Sequence, residues 1–257
     1  MFHFDQVSLL ITHYKRSKSL ERLLASLQAI GCRFGEVIVS DDGSPEPHIS
    51  YISELKNQYD FKFVTTPVNK GLGNNMNKGH LATSKPYVLY IQEDFLPDPL
   101  FPGELRRALQ YMEADHSIDM TRFFSHSRYP YMKPFPKDPD FSLTYYAPLA
   151  LKYTKIYNYS DLPHLRRHNF LEKFGHYREG IPGDRTEYWM CISYFRKKGK
   201  TLFYNDYRKL FDHENSDQEP STMVRKSIST SNNAALTVIR HLYRHLKYNY
   251  DLFLKKM

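Results

Sequence analysis

The sequence is poor in cysteine and has no long apolar run. Its two cysteines, Cys32 and Cys191, are far apart and lack metal-ligand spacing, which disfavours a disulfide framework and favours a reducing compartment. No stretch approaches the roughly 20 apolar residues that a membrane-spanning helix needs. The short apolar run at residues 7–11 follows Asp5 and does not have the pattern of a signal peptide. We therefore expect a cytoplasmic protein.

Glycine is missing where many nucleotide-binding proteins need it. The first apolar run is followed by THYKRS, residues 12–17, which contains no glycine. A dinucleotide fingerprint requires its glycines directly after the first strand, so a Rossmann dehydrogenase is disfavoured. The sequence also contains no Walker phosphate-binding motif.

Negative charge is in deficit across the chain. The 36 lysines and arginines outnumber the 28 acidic residues, which gives a formal net charge of +8. Such an excess favours an anionic partner, such as a nucleotide, a phosphorylated lipid, an anionic membrane or a nucleic acid. The total charge alone does not choose among these.

The first half of the chain alternates strand-like and helix-like patterns. Apolar runs predict strands at residues 7–12, 36–40, 61–66 and 87–91, and helices are predicted between them at 17–30, 47–59 and 73–83. This alternation predicts an α/β fold with a mostly parallel central sheet flanked by helices. The second half is less regular, with helices expected at 100–115 and 186–198 and a strand at 201–205.

Acidic side chains directly follow two of the predicted strands. EVIVSDDGS, residues 36–44, carries Asp41 and Asp42, and YVLYIQEDF, residues 87–95, carries Glu93 and Asp94. Because ligands of α/β proteins gather at the carboxyl ends of strands, these carboxylates are candidates for a nucleotide and metal site. Taken alone, each segment is also compatible with an ordinary acidic turn.

Four segments, in this order, resemble the family 2 inverting glycosyltransferases, which have the GT-A fold. They are VSLLITHYKR, EVIVSDDGS, NKGLGNNMNKG and YVLYIQEDF, and together they lie within residues 7–95. The resemblance implies transfer of a sugar from a nucleotide-diphosphate donor to a glycan or lipid-linked acceptor, with inversion at the anomeric carbon. The expected donor is a UDP-sugar. It implies a GT-A-type, Rossmann-like domain over residues 1–225, with a nucleotide-sugar-binding half (1–98) and an acceptor-binding half (99–225), followed by a C-terminal basic helix (226–257).

The resemblance also implies roles for individual residues. The donor is expected to contact Thr12, Tyr14, Asp41, Asp42, Asn69, Gly71, Asn77 and Glu93. Asp94 matches the last acid of the family's metal triplet, and His213 matches a histidine near the metal and diphosphate. The implied cofactor is Mg²⁺ or Mn²⁺, which would neutralise the leaving diphosphate. Gln92 departs from the family pattern, because an aspartate is usual there and an amide oxygen binds metal more weakly.

An inverting transferase needs a general base that accepts the proton of the acceptor hydroxyl. The segment IPGDRTEYWM, residues 181–190, resembles the family's acidic pair at the start of a helix, with Glu187 in the first position of that pair. We expect Glu187 to be the base, and Asp184 is the alternative. Either acid is also explained by the helix dipole, which favours negative charge at a helix N-terminus.

The C-terminal run IRHLYRHLKYNYDLFLKK, residues 239–256, has apolar residues at helical spacing among arginines and lysines. Such a helix either lies on an anionic membrane or packs on the domain with a solvated basic face. A peripheral position at the inner face of the membrane is thus one expected location. The acidic cluster at the sheet edge argues against a nucleic-acid partner.

Two other functions fit parts of the pattern. A catalytically degenerate module of the same fold would bind nucleotide or glycan without turnover, and Gln92 favours that alternative. A nucleotidyltransferase of similar topology would consume a nucleoside triphosphate, but its glycine-rich loop should follow the first strand, where this chain has none.

Overall fold

The computed structural model describes residues 1–213 and 234–255. The boundary expected between residues 225 and 226 lies outside the described residues. The strands are β1 (Phe2–His13), β2 (Cys32–Asp41), β3 (Lys62–Val64), β4 (Tyr87–Gln92), β5 (Phe95–Pro97), β6 (Met120–Arg122), β7 (Met132–Phe135), β8 (Asp138–Thr144), β9 (His164–Arg167), β10 (Thr201–Tyr204) and β11 (Phe211–His213). The α-helices are α1 (Ser17–Ala29), α2 (His48–Leu55), α3 (Leu72–Leu81), α4 (Phe101–Ala114), α5 (Phe170–Phe174), α6 (Gly183–Arg196) and α7 (Ala234–Phe253).

The central sheet has nine strands in the order β3-β2-β1-β4-β9-β6-β10-β8-β7. β1 pairs in parallel with both β2 and β4, as the strand–helix alternation predicted. In the described part of the chain, β8 and β9 are antiparallel to the other strands of this sheet. A mixed α/β fold with a large, mostly parallel central sheet is therefore confirmed.

Two apolar layers enclose the sheet because side chains of a strand alternate between its faces. On β1, Leu9 and Ile11 pack into the layer under α1, α2 and α4, whereas Leu10 packs into the layer under α3, α5 and α6. α3 lies so close to the sheet that a Cβ at Gly79 would be 2.5 Å from Leu10 Cδ1. Burial on both faces explains the continuous apolar runs that end at the acidic residues.

A second, two-stranded sheet joins the end of β4 to the distant C-terminal half. β5 follows β4 and pairs antiparallel with β11, which places His213 opposite Phe95. Within the described residues, no helix has both the length and the apolarity needed to cross a bilayer.

Candidate active site

The polar ends of β1, β2 and β4 meet at one edge of the sheet. The register places His13 opposite Asp41 and Thr12 opposite Gln92. His13 Nδ1 lies 2.8 Å from Asp41 Oδ1, and its Nε2 accepts the backbone N–H of Arg16 at 3.1 Å. Since Nε2 is an acceptor, Nδ1 carries the proton and donates it to Asp41.

The loop after β1 then reaches the acidic end of β4. Arg16 Nη1 donates to Asp94 Oδ2 at 2.7 Å and lies 3.9 Å from Glu93 Oε1. A continuous set of contacts therefore runs from Asp41 through His13 and Arg16 to Asp94. The predicted convergence of these acids on one edge is present in the structure.

Tyr14 and Lys15 lie in a bend directly after β1. Lys15 has a φ of 57°, which is an unfavourable backbone conformation for a residue with a side chain. Its N–H donates to Ser44 Oγ at 2.8 Å, and its Nζ lies 4.9 Å from the centroid of the half-buried Tyr14 ring. Strained residues of this kind concentrate at functional sites, where surrounding contacts hold them in place.

Asp41 is completely buried and serves as an anchor for the surrounding loops. Its Oδ1 accepts His13 and Ser44 Oγ, and its Oδ2 accepts the Ser44 N–H at 2.9 Å and Thr65 Oγ1 at 2.7 Å. Burial alone would raise the pKa of Asp41, but these hydrogen bonds outweigh burial and hold the pKa well below its ordinary value. Both carboxylate oxygens therefore face protein donors.

Asp42 holds the loop that precedes α3. Its two oxygens accept the backbone N–H groups of Lys70 at 2.8 Å and Gly71 at 2.9 Å. Burial raises the pKa of Asp42, and the two amides offset part of that rise. Gly71 has a φ of 84°, which suits glycine at the start of the helix, and Asn69 is exposed on the same loop.

Asn77, on α3, holds the segment that contains Tyr177 and Glu179. Its side chain accepts the N–H of Tyr177 and donates to the Tyr177 carbonyl, both at 2.9 Å, and it also donates to Glu179 Oε1 at 2.8 Å. The amide is buried and engaged by this segment. Thr12 is likewise buried, and its hydroxyl lies 2.9 Å from the Tyr90 hydroxyl.

Asp94, at the same edge, has one carboxylate oxygen that is available to bind a ligand. Its Oδ2 contacts Arg16 and lies 3.1 Å from His213 Nε2, whereas its buried Oδ1 has no hydrogen-bond partner among the described residues. Burial would raise the pKa of Asp94, but hydrogen bonds from His213 and Arg16 lower it. The pairing of β5 with β11 brings His213 here from far along the chain.

The residues around Asp94 fit a divalent cation that also binds substrate oxygens. Mg²⁺ is commonly held by one or two carboxylates together with phosphate oxygens and water, and the unpartnered Oδ1 is a hard oxygen donor of this type. Within residues 1–213 and 234–255, no group of three or more His, Cys, Asp or Glu side chains is arranged to hold an ion by itself. The phosphates of a substrate would therefore have to complete the coordination.

Glu187 lies near the same edge, one turn into α6. Its Oε1 accepts Ser160 Oγ at 3.0 Å and the N–H of Asp161 at 3.3 Å. Gln92, at the end of β4, donates to the carbonyl of Asp161 at 3.3 Å. The structure thus connects Glu187 to the end of β4, whereas Asp184 is exposed in the first turn of α6.

The side chain of Asp161 forms a carboxyl pair with Glu187. Burial, the charge of Glu187 and a hydrogen bond to it raise the pKa of Asp161 well above its ordinary value. Two adjacent ionised carboxylates repel each other, which favours the protonated form of Asp161. Sequence reasoning missed Asp161 because it lies in a loop rich in proline and tyrosine, with no periodic pattern around it.

Residues 8–180 match the sequence profile of the family described as glycosyl transferase family 2, which is more than half of the chain. The chain belongs to that family. Glu187 and His213 lie beyond the matched residues, so their roles depend on the geometry described above.

Curated relatives match a little over a third of the chain. A poly-beta-1,6-N-acetyl-D-glucosamine synthase of Staphylococcus epidermidis is 33% identical over 94 residues, which are 37% of this chain and 23% of the relative. The synthase of Staphylococcus aureus strain COL is 29% identical over the same length. The match therefore spans about a quarter of the length of these relatives.

Solved structures share the fold over nearly the whole chain. S. aureus TarS 1-349 in complex with UDP-GlcNAc has a TM-score of 0.64 at 16% identity and covers 97% of this chain and 76% of that one. A mannosyltransferase from Pyrobaculum calidifontis, PcManGT, in complex with GDP-Man and Mn²⁺, has a TM-score of 0.55 at 13% identity and covers 94% and 63%. Both are GT-A-type neighbours, and at these identities they establish the fold.

Proposed function

We propose that this chain transfers a sugar from a nucleotide-diphosphate donor to a glycan or lipid-linked acceptor, with inversion at the anomeric carbon. The observation that carries the proposal is the meeting of Asp94, His213 and Glu187 at one edge of the sheet of a family 2 glycosyltransferase. A UDP-sugar is the first donor to test, because a structural neighbour carries UDP-GlcNAc. The neighbour bound to GDP-Man makes a GDP-sugar the second.

The donor would lie against the loops that end β1, β2 and β4. Tyr14 and Lys15 would border the base, and Glu93 would lie beside the donor phosphates. Asp41, Asp42 and Asn77 would act by fixing the backbone of these loops, since protein groups already engage their side chains. Thr12, Asn69 and Gly71 complete the proposed donor-binding set.

Asp94 and His213 would hold Mg²⁺ or Mn²⁺ together with the donor diphosphate. Such an ion supplies positive charge that stabilises the leaving diphosphate. Arg16, 2.7 Å from Asp94, adds a fixed positive charge at the same place. That charge supports departure of the diphosphate even where Gln92 replaces the usual acid.

Glu187 would accept the proton of the acceptor hydroxyl while that oxygen attacks the anomeric carbon. A new carbon–oxygen bond forms on one face of the sugar, and the bond to the β-phosphate oxygen breaks on the other, so the diphosphate leaves with that electron pair. Asp161, whose pKa is raised beside Glu187, would donate a hydrogen bond to Glu187 in its protonated form and orient it. In this role Asp161 is a positioning residue.

The acceptor is proposed to lie on the half formed by residues 99–213, which contributes Asp161 and Glu187. The proposed location is the cytoplasm, with peripheral attachment at the inner face of the membrane. No nucleic-acid partner is proposed, because the sheet edge that would receive it is acidic.

Release of nucleoside diphosphate from a panel of UDP- and GDP-sugars, with Mn²⁺ or with a chelator, tests this function. Wild type should release product, and Glu187→Gln should reduce the rate by about 10²–10⁴-fold. Asp184→Asn, about one helical turn earlier in α6, should stay within a few-fold of wild type. If no common nucleotide sugar turns over, or if Asp184→Asn is the damaging variant, the proposal is wrong.

A catalytically degenerate binding module is the second candidate. Arg16 occupies one oxygen of Asp94, and Gln92 stands beside it, so this edge can bind a diphosphate without a metal. Calorimetric titration of UDP with and without Mn²⁺ separates the two functions. Tight, metal-independent binding without turnover would favour the module.

A further inference from the structure

The outer face of α7 is apolar and exposed. Its large apolar side chains are between 54% and 70% exposed and recur at helical spacing along one stripe: Ile239, Leu242, Tyr243, Leu246, Tyr250 and Phe253. Leu254, directly after the helix and 71% exposed, continues the stripe. Contiguous exposed apolar surface of this kind marks a site of interaction with a protein or a membrane.

A neighbouring loop extends this stripe. Leu149 and Leu151 are 90% and 83% exposed, and the loop that carries them lines a cavity of about 270 Å³ together with Leu246 and Phe253. The buried Lys155 fixes the loop by donating to the carbonyls of residues 148 and 150 at 2.6 and 3.1 Å. We call the α7 stripe together with Leu149 and Leu151 the outer apolar surface.

The opposite side of α7 is firmly attached to α6. Tyr188 donates to the buried Asp251 at 2.7 Å, and Leu252 is buried in the core. The Arg196 guanidinium donates to the backbone carbonyls of Asp251, Leu252 and Lys255 at 2.6–2.7 Å, which satisfies the C-terminus of the helix. The helix therefore packs on the domain, as one sequence-based alternative expected, but the face left outside is apolar rather than basic.

Positive charge surrounds the outer apolar surface. Arg240 flanks the stripe on α7, and the exposed Lys152 follows Leu151. Lys255 lies at the end of the stripe, 3.9 Å from Asp251, and Lys247 pairs with the same buried Asp251. The chain as a whole carries a net charge of +8. An apolar face with basic flanks complements the acyl boundary and anionic headgroups of a bilayer, whereas a second copy would bring like charges together.

We propose that the outer apolar surface docks on an anionic lipid bilayer, with its leucines and aromatic rings in the headgroup–acyl boundary. α7 contacts α6 through Tyr188, which directly follows Glu187. Because α7 would lie between α6 and the bilayer, docking would hold α6 and its proposed base one helix away from the membrane surface. That step rests on the proposed function and makes a lipid-linked acceptor the expected substrate class.

Co-sedimentation of the full chain with vesicles tests the docking. Vesicles of phosphatidylcholine containing phosphatidylglycerol should bind the protein, and vesicles of phosphatidylcholine alone should bind it more weakly. Leu246→Ser and Leu149→Ser should each weaken binding about tenfold, because each removes a leucine from the bilayer boundary. Leu81→Ser is the matched control, since Leu81 is 72% exposed and Leu246 is 70% exposed.

Equal binding by all three variants and wild type, or no preference for the anionic vesicles, would overturn the proposal. Light scattering tests a second copy as the occupant: a dimer that Leu246→Ser dissociates, without a change in vesicle binding, would also overturn it. Vesicle binding needs no donor or turnover. A chain that binds vesicles but releases no nucleotide would therefore refute the proposed function alone.

Discussion

The sequence predicts the position of Asp41 at the end of its strand, but it does not predict that the side chain anchors the surrounding loops. The strand end predicts a carboxylate at the ligand edge, and the structure places it there. Its oxygens, however, accept four hydrogen bonds from the surrounding loops. Sequence spacing carries no information about which way those donors point.

Replacing Asp41 with asparagine should destabilise the fold by about 3 kcal/mol at neutral pH. The amide nitrogen would face N–H and O–H donors, and the charge that binds them would be lost. Because the folded pKa lies below the ordinary 3.8, the stabilisation by Asp41 is present above pH 3.8 and is lost as the pH falls below it. Urea denaturation should therefore give a wild-type advantage that shrinks only in strong acid.

Asp60→Asn is the control for this experiment, since Asp60 is exposed. It should change the free energy of unfolding by less than about 0.5 kcal/mol. An Asp41→Asn variant as stable as Asp60→Asn would contradict the anchoring role.

Asp161 gives the opposite pH dependence. Its folded pKa is raised above the ordinary 3.8, so the protonated side chain stabilises the fold at low pH, and this contribution is lost as the pH rises through the folded pKa. Asp161→Asn keeps a donor to Glu187 but has no proton to lose. Wild type should therefore lose stability relative to this variant as the pH rises in urea titrations.

The contact between Asp161 and Glu187 can also be tested by measuring enzyme turnover. Asp161→Asn should retain most turnover at neutral pH with a flatter alkaline pH profile, whereas Asp161→Ala should lose turnover because Glu187 is no longer oriented. Parallel stability curves for wild type and Asp161→Asn, or equal activity of the Asn and Ala variants, would rule out a protonated Asp161 that orients Glu187.

At the scale of elements, the sequence predicts buried strands well and charged ones poorly. The strands at the start of the chain were found by their apolar runs, although β1 begins at Phe2 rather than residue 7. Asp5 and Gln6 interrupt its apolar run, and the pairing with β2 shifts register there. β9 was not predicted, because its sequence, HLRR, is typical of a solvent-exposed segment.

Tertiary contacts explain why β9 is a strand despite its charge. Arg166 is fully buried, its guanidinium hydrogen-bonds to the Tyr177 hydroxyl, and it lies 5.0 Å from the centroid of the Phe170 ring. These aromatic partners come from other parts of the chain. No local sequence pattern around Arg166 predicts these contacts.

The packing of α3 against the segment that Asn77 holds makes Gly73 essential. A Cβ at Gly73 would lie 2.2 Å from the carbonyl oxygen of Arg178, which is a backbone atom and cannot move aside as a flexible side chain can. Gly73→Ala should therefore push this segment away and destabilise the fold by about 1–3 kcal/mol, measured by thermal unfolding.

Gly103→Ala provides a matched control in α4, where an added Cβ would meet no described atom within 4 Å. It should stabilise the fold by up to about 1 kcal/mol, because alanine favours helix. The argument fails if the Gly73 variant unfolds at the wild-type temperature.

At the scale of the whole molecule, one sheet edge collects residues from distant parts of the chain. The first 95 residues supply Tyr14, Asp41 and Asp94, which lie at or just after the ends of β1, β2 and β4. Asp161, Glu187 and His213 come from later elements, and β9, α6 and β11 place them beside the first group. Their convergence depends on the antiparallel pairings of the second half, which have no regular sequence period.

The central claim is that this edge binds the diphosphate of a nucleotide-sugar at Asp94. Calorimetric titration of UDP in the presence of Mn²⁺ tests it most directly, using wild type, Asp94→Asn and the exposed control Asp60→Asn, each checked for cooperative thermal unfolding. UDP should bind wild type and Asp60→Asn equally, and Asp94→Asn should bind at least about tenfold more weakly, as expected for a lost charged contact. Equal affinity of a folded Asp94→Asn variant, or no binding of UDP or GDP to wild type, would contradict the account.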